Sequence, residues 1–351
     1  MSLIKNSTIV VAGIIISNIF AYVFHIYVGR VLGPADYGVF GALMSLFLLV
    51  SLPAGSIGSA VTKFTARFKS KKEYQKIGAL RKRMSKKVFL ISAFIFLFIV
   101  LLSGEIADYL KIDSNVPVML VGFTLIFAFI LPINRGVLQG MKKFKIYSIN
   151  TILESVSRLI LVVFLVMLGL GADGAILAYG LAYLVAFAAI FPFIKDVNGK
   201  EKSFELKPVW KFVIIVLFTN LILQLVINLP TIFIKHYLSA EFTGLWTAAL
   251  TLARVSLFVT GGIALVMFPE VAEKENKKER RKVLLHCLLL TVAASVGIAS
   301  IFLLFGNLAV SLLYGVEYLG AVPLLQWMAF AMIFLAVIQL FVNYWLAKMG
   351  S

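Results

Sequence analysis

Arg254 stands in the stretch TLARVSLFVTGG, where no other residue is charged. A cation inside a membrane span costs roughly 2.5–3.5 kcal/mol on insertion scales, so it faces a cavity or a partner. No acid lies within one helical turn of it. A planar guanidinium binds phosphate oxygens bidentately, so Arg254 suits a diphosphate or an acidic sugar, and equally an internally paired or snorkelling arginine. Arg158 follows Glu154 by four residues in ILESVSRLIL. That pair reads either as a helix-stabilising bridge or as part of a cavity wall or coupling-ion site. Asn220, Gln224 and Asn228 recur every four residues and make one polar stripe, and Asn18 occupies the corresponding span of the first half. Such amides either bond helix to helix or line a hydrated path. Lys63, Asn134, Arg135 and Gln139 are expected at the cytoplasmic mouth, as phosphate-capturing groups or as ordinary anchors.

The elements that carry these residues follow from composition. Of 351 residues, 61% are apolar and 14% charged, and the mean hydropathy is +1.01. Soluble domains carry about 45–50% apolar and about 25% charged residues. Apolar runs of roughly 18 residues cross a hydrocarbon core about 30 Å thick as a helix. The expected fold class is an all-α polytopic membrane protein with ten spans, at 8–28, 37–62, 88–104, 116–134, 147–169, 173–194, 210–234, 241–268, 283–305 and 320–346.

Charge orients those spans. Segments 63–87, 135–145, 195–211 and 274–282 hold eleven, four, five and six Lys or Arg. With Lys5 and Lys348 that is 28 of the 33, and ten spans place every one on the same side. The other side holds Arg30, Lys111 and Lys235 beside six acids. Basic loops stay cytoplasmic, so both termini of this chain are expected in the cytoplasm of a multi-pass cell-membrane protein. The net charge of +17 thereby follows topology and implies no nucleic acid. The basic segment 63–87 reads as ordinary positive-inside bias or as a surface for anionic headgroups. One cysteine and three scattered histidines offer no metal site, and no cofactor is expected. The sequence has no nucleotide-binding loop, paired-carboxylate motif or nucleophile–base arrangement, so an enzyme is not expected and energy must come from an ion, the membrane potential or downstream use of the substrate.

The chain repeats itself. Shifted by 206, Leu32 falls on Leu238, Gly38 on Gly244, Phe40 on Trp246, Gly55 on Gly261, and Val116-Pro117 on Val322-Pro323. The expected domains are a six-helix bundle at 1–195, a cytoplasmic linker at 196–209 and a four-helix bundle at 210–351. An even number of spans per unit gives both bundles one orientation, with a cavity expected between them. Counterparts of the fifth and sixth helices are missing from the second half, as in a C-terminally shortened chain or a short form completed by another subunit. Gly33-Pro34 should break one helix, Asp36 should start the next, and Gly38 and Gly41 should let that helix approach a neighbour closely. Pro230 should bend the seventh helix.

GRVLGPADYGVFGALMSL (29–46) resembles the signature of the polysaccharide-transporter branch of the multidrug/oligosaccharidyl-lipid/polysaccharide (MOP) exporter superfamily. RGVLQGMKKFKIYSINTILESVSRLILVVFLVMLGLGADGAILAYGLAY (135–183) resembles the same branch. The resemblance implies two bundles facing each other in a V, as in the multidrug and toxin extrusion (MATE) fold, and translocation of lipid-linked oligosaccharides by alternating access. Implied partners are the lipid-linked oligosaccharide, membrane lipids, a coupling ion (H⁺ or Na⁺) and polysaccharide-assembly proteins. The alternative is a cation-coupled multidrug or small-molecule exporter of the same superfamily. A membrane glycosyltransferase, polymerase or ligase would need larger aqueous loops, and a non-transporting scaffold is a further class.

Overall fold

A computed structural model describes residues 2–194, 204–273 and 276–350. Among them there is no strand. The helices are α1 (Ser2–Val50), α2 (Leu52–Ser70), α3 (Tyr74–Leu101), α4 (Ser103–Tyr109), α5 (Val116–Gly140), α6 (Phe144–Met167), α7 (Gly171–Ile190), α8 (Lys207–Tyr237), α9 (Ala240–Ala253), α10 (Val255–Glu273), α11 (Lys277–Leu313) and α12 (Val322–Gly350).

Nine helical stretches among the described residues are long and apolar enough to cross a membrane, against ten expected. The difference lies in the first. Val10–Val50 is one stretch of 41 residues, about 60 Å at ~1.5 Å per residue and twice a bilayer core. Gly33, with φ 74 and ψ 173, breaks its helical geometry just before Pro34, as the motif requires. Elsewhere the sequence reading placed helix ends too tightly. Helices α3 and α11 begin at Tyr74 and Lys277, well ahead of the expected 88 and 283. Lys and Arg are good helix formers, so a span continues into its basic flank instead of stopping at the lipid boundary. The expected second span ends its first piece at Ser51, where Pro53 supplies no amide donor. The expected eighth span is interrupted at Arg254, between α9 and α10. Helix α8 runs through Pro230 without interruption.

Two compact units emerge. The first comprises Met1–Val28 and Val39–Ser239, the second Gly29–Gly38 and Ala240–Ser351. The grouping differs from the expected division after 195: α8 clusters with the first unit, and the tip of the first hairpin with the second. Residues 196–203 of the expected linker lie outside the described residues.

Within the first unit, α5 is the central element and packs on α2, α3 and α7. Gly136 and Gly140, four apart, face α2. A Cβ on Gly136 would lie 2.7 Å from the Gly58 carbonyl oxygen, and one on Gly140 would lie 2.5 Å from Thr65 Cβ. Two glycines on one ridge thus bring two backbones into contact, the usual way apolar helices associate when lipid offers no hydrophobic drive.

Within the second unit, the hairpin tip is clasped by aromatic residues. Tyr37, Tyr314 and Tyr318 are buried together. Tyr318 Oη donates to the Gly29 carbonyl at 2.6 Å, and the Tyr37 and Tyr314 hydroxyls lie 3.3 Å apart. A Cβ on Gly38 would sit 2.0 Å from the Ala240 carbonyl oxygen, and one on Gly244 would sit 1.8 Å from that of Pro34. Under the 206-residue shift Gly38 becomes Gly244 and Pro34 becomes Ala240. The two contacts are one contact made twice, with the repeats exchanged, and this accounts for the glycines at both positions.

Candidate functional site

The first unit buries a charged group built from three helices. Glu154 and Arg158 project from α6, ten and fourteen residues after its start, or about 15 and 21 Å along a helix of 24 residues. Both are 7% exposed. Glu154 Oε1 accepts from Arg158 Nη2, and Oε2 accepts from Arg135 Nη1 at 2.7 Å. Arg135 comes from the basic end of α5. Its Nε and Nη2 donate to the side chain and backbone oxygens of Asn150 at 2.8 and 3.1 Å. Asn150 in turn donates to the Ala186 carbonyl on α7 at 2.8 Å. The Arg158 guanidinium stacks over Tyr179 at 4.0 Å and reaches toward Tyr183 at 5.8 Å. Tyr179 Oη lies 3.5 Å from His25 Nε2.

Two arginines share one carboxylate, so the group carries one excess positive charge. Arg158 Nε is buried and has no hydrogen-bond partner among the described residues. A single carboxylate bonded by both guanidiniums holds them in place.

The structure thereby joins residues that the sequence kept apart. Arg135, expected at the mouth, is bonded to Glu154 in mid-helix. Asn134 accepts from Arg81 Nε at 3.2 Å, Gln139 accepts from Thr62 Oγ1 at 3.0 Å, and exposed Lys63 lies 4.0 Å over the Phe212 ring. These three hold α2, α3, α5 and α8 to one another near their basic ends. The α8 stripe is satisfied largely within its own helix. Asn220 donates to Val216 O at 2.9 Å, and Asn228 donates to the Gln224 carbonyl and side chain at 3.0 and 2.9 Å. Asn18 is half-buried on α1. Arg254 belongs to the second unit, half-buried at the junction of α9 and α10. Its amide still donates to Leu250 O at 3.1 Å and its carbonyl accepts from Phe258 N at 3.2 Å, so the interruption is a loosened turn.

Sequence reasoning missed Asn150, Tyr179, Tyr183 and His25. A signal for the first was available: Asn150, Glu154 and Arg158 stand four apart, the same spacing that marked the α8 stripe. Tyr179 and Tyr183 share that spacing on α7. His25 carried no signal.

Among the described residues no group of His, Cys, Asp and Glu is arranged to hold a metal ion.

Among the described residues the chain is all-helical with nine candidate spans, a polytopic membrane fold with a buried cationic group. The structure superimposes on a multidrug resistance MATE family transporter of the MOP superfamily in an inward-facing conformation with a TM-score of 0.76, covering 94% of this chain and 83% of that one at 13% identity. A eukaryotic MATE transporter matches with a TM-score of 0.70, covering 97% and 82% at 13% identity. The chain belongs to the family described as polysaccharide biosynthesis protein, whose profile matches residues 3–275. It is also 24% identical over 295 residues, 79% of this chain and 69% of the relative, to an uncharacterized membrane protein of Methanocaldococcus jannaschii.

Proposed function

We propose that this transporter is a flippase for a polyprenyl-diphosphate-linked oligosaccharide, moving it outward across the cytoplasmic membrane by alternating access. The observation that carries the reading is the excess positive charge of the Arg135–Glu154–Arg158 group, carried on two candidate membrane spans. A diphosphate needs cationic, hydrogen-bonding donors once it leaves water, and guanidiniums supply them in planar pairs. In this scheme the diphosphate enters from the basic side and draws Arg135 and Arg158 away from Glu154, while the polyprenyl tail stays in lipid. Arg254 is the counterpart donor in the second unit. Outward movement of an anion down an inside-negative potential gains about 2.3 kcal/mol per charge per 100 mV, so the potential itself favours export. Both termini are cytoplasmic in this arrangement, and polysaccharide-assembly proteins consume the product.

A cation-coupled exporter of small molecules would call for a site with excess acid. The group has two arginines to one glutamate, which favours an anionic substrate.

The test is reconstitution in sealed liposomes with a fluorescent lipid-linked oligosaccharide, scored by accessibility to a membrane-impermeant quencher. Arg158→Gln should slow translocation at least about tenfold, the loss of one charge-assisted phosphate contact. Undiminished translocation by folded Arg158→Gln and Arg254→Gln proteins would refute the assigned roles. Efflux of cationic dyes dependent on a sodium gradient would favour the exporter.

A further inference from the structure

Outside the charged group, the first unit carries a groove between α6 and α7. It has a volume of about 360 Å³ and apolar walls that include Ile149, Leu153, Ile190 and Phe193. Lys145 stands at one end and Asn150 is among the lining residues. Neither aspartate nor glutamate lines it. Ile149 is 54% and Phe193 45% exposed, so the groove opens sideways along two candidate membrane spans. Lys143 Nζ donates to the carbonyl of groove-lining Phe193 at 3.0 Å, which brings a second ammonium to the groove's edge. The turn before that helix holds Lys142 in the left-handed region, with φ 57, where glycine would sit without strain.

We propose that this groove binds an anionic diacyl phospholipid, with one acyl chain against Ile149, Leu153 and Ile190 and the phosphate at Lys145 and Lys143. The occupant comes from the surrounding bilayer, because the groove opens to its side and has cations at only one end. A neutral lipid fills the same apolar walls without engaging the lysines. A chain seated there packs directly behind Asn150, the residue that orients Arg135. The site is therefore placed to make the charged group responsive to the lipid composition of the membrane.

The experiment is a binding measurement and does not depend on what the protein transports. The purified full chain is offered equal amounts of phosphatidylglycerol and phosphatidylcholine with identical acyl chains, and retained lipid is counted by native mass spectrometry. Phosphatidylglycerol should be retained about fivefold over phosphatidylcholine, as expected for a lysine facing an anionic headgroup. Lys145→Glu should abolish the preference and Lys145→Arg should keep it. Ile149→Trp, which fills the groove, should reduce retention of both lipids. Equal retention by the unaltered protein, or a preference that survives Lys145→Glu, would overturn the site. So would displacement of phosphatidylglycerol by free glycerol phosphate, which would indicate a phosphate site without a chain, or by an equimolar polyprenyl phosphate, which would assign the groove to the substrate.

Discussion

Glu154 accepts from arginines on two different helices, so its removal acts on both. Glu154→Gln leaves buried Arg158 and half-buried Arg135 without their counter-charge, and breaking a buried pair in this way costs about 3–5 kcal/mol. The expected result is a clearly lower thermal midpoint for the purified protein. Glu154→Gln combined with Arg158→Gln should recover part of the loss, because the uncompensated charge is smaller. A double variant less stable than the single one would show that the group is not held together electrostatically. The Glu154–Arg158 half of this site was legible, since both residues lie on one helix at i and i+4. Arg135 was not, because its distance to Glu154 depends on how α5 packs against α6 and α7, and no local spacing encodes that.

Helix contacts in this chain depend on the absence of side chains at a few places. Gly38→Ala and Gly244→Ala each drive a methyl group into a backbone carbonyl, at 2.0 and 1.8 Å. Each should destabilise by about 3 kcal/mol or more, the upper range for overpacking, because a carbonyl cannot rotate aside as a side chain can. The two substitutions touch one interface, so their effects should be less than additive in thermal unfolding. Gly55→Ala is the contrast: nothing lies within 4 Å of the added carbon, and the residue sits inside α2. It should be neutral or stabilising by up to about 1 kcal/mol, through helix propensity. A loss at Gly55 equal to that at Gly38 would show that glycine matters here for flexibility and not for proximity. The 206-residue repeat made Gly38 and Gly244 visible as equivalents. That they meet each other's helix starts is a property of the fold alone.

Across the whole molecule, sidedness is the expectation with the widest consequences. In a Cys287→Ser background, a cysteine at Asp113 should react with an impermeant maleimide on intact cells. A cysteine at Lys72 should react only after permeabilisation. The reverse pattern would invert the direction of transport proposed above. Lys72→Gly separates charge from backbone, because Lys72 holds φ 59 in the turn between α2 and α3. The glycine variant should raise the thermal midpoint slightly, by relief of about 1 kcal/mol of left-handed strain, while keeping the turn.

Residue order alone marks the chain as a polytopic helical membrane protein with an internal repeat and a family resemblance. Those features are local or periodic: transfer of apolar surface from water sums along each span, and a repeated motif announces itself wherever its copies lie. The sequence did not determine where the helices end, since basic flanks continue a helix as readily as they leave the lipid. It took the packed helices to join Arg135 to Glu154, to group α8 with the first unit and to group residues 29–38 with the second. Partner choice among apolar helices is set by which backbones can come close and which buried charges must be matched, and both are decided between segments far apart in the chain.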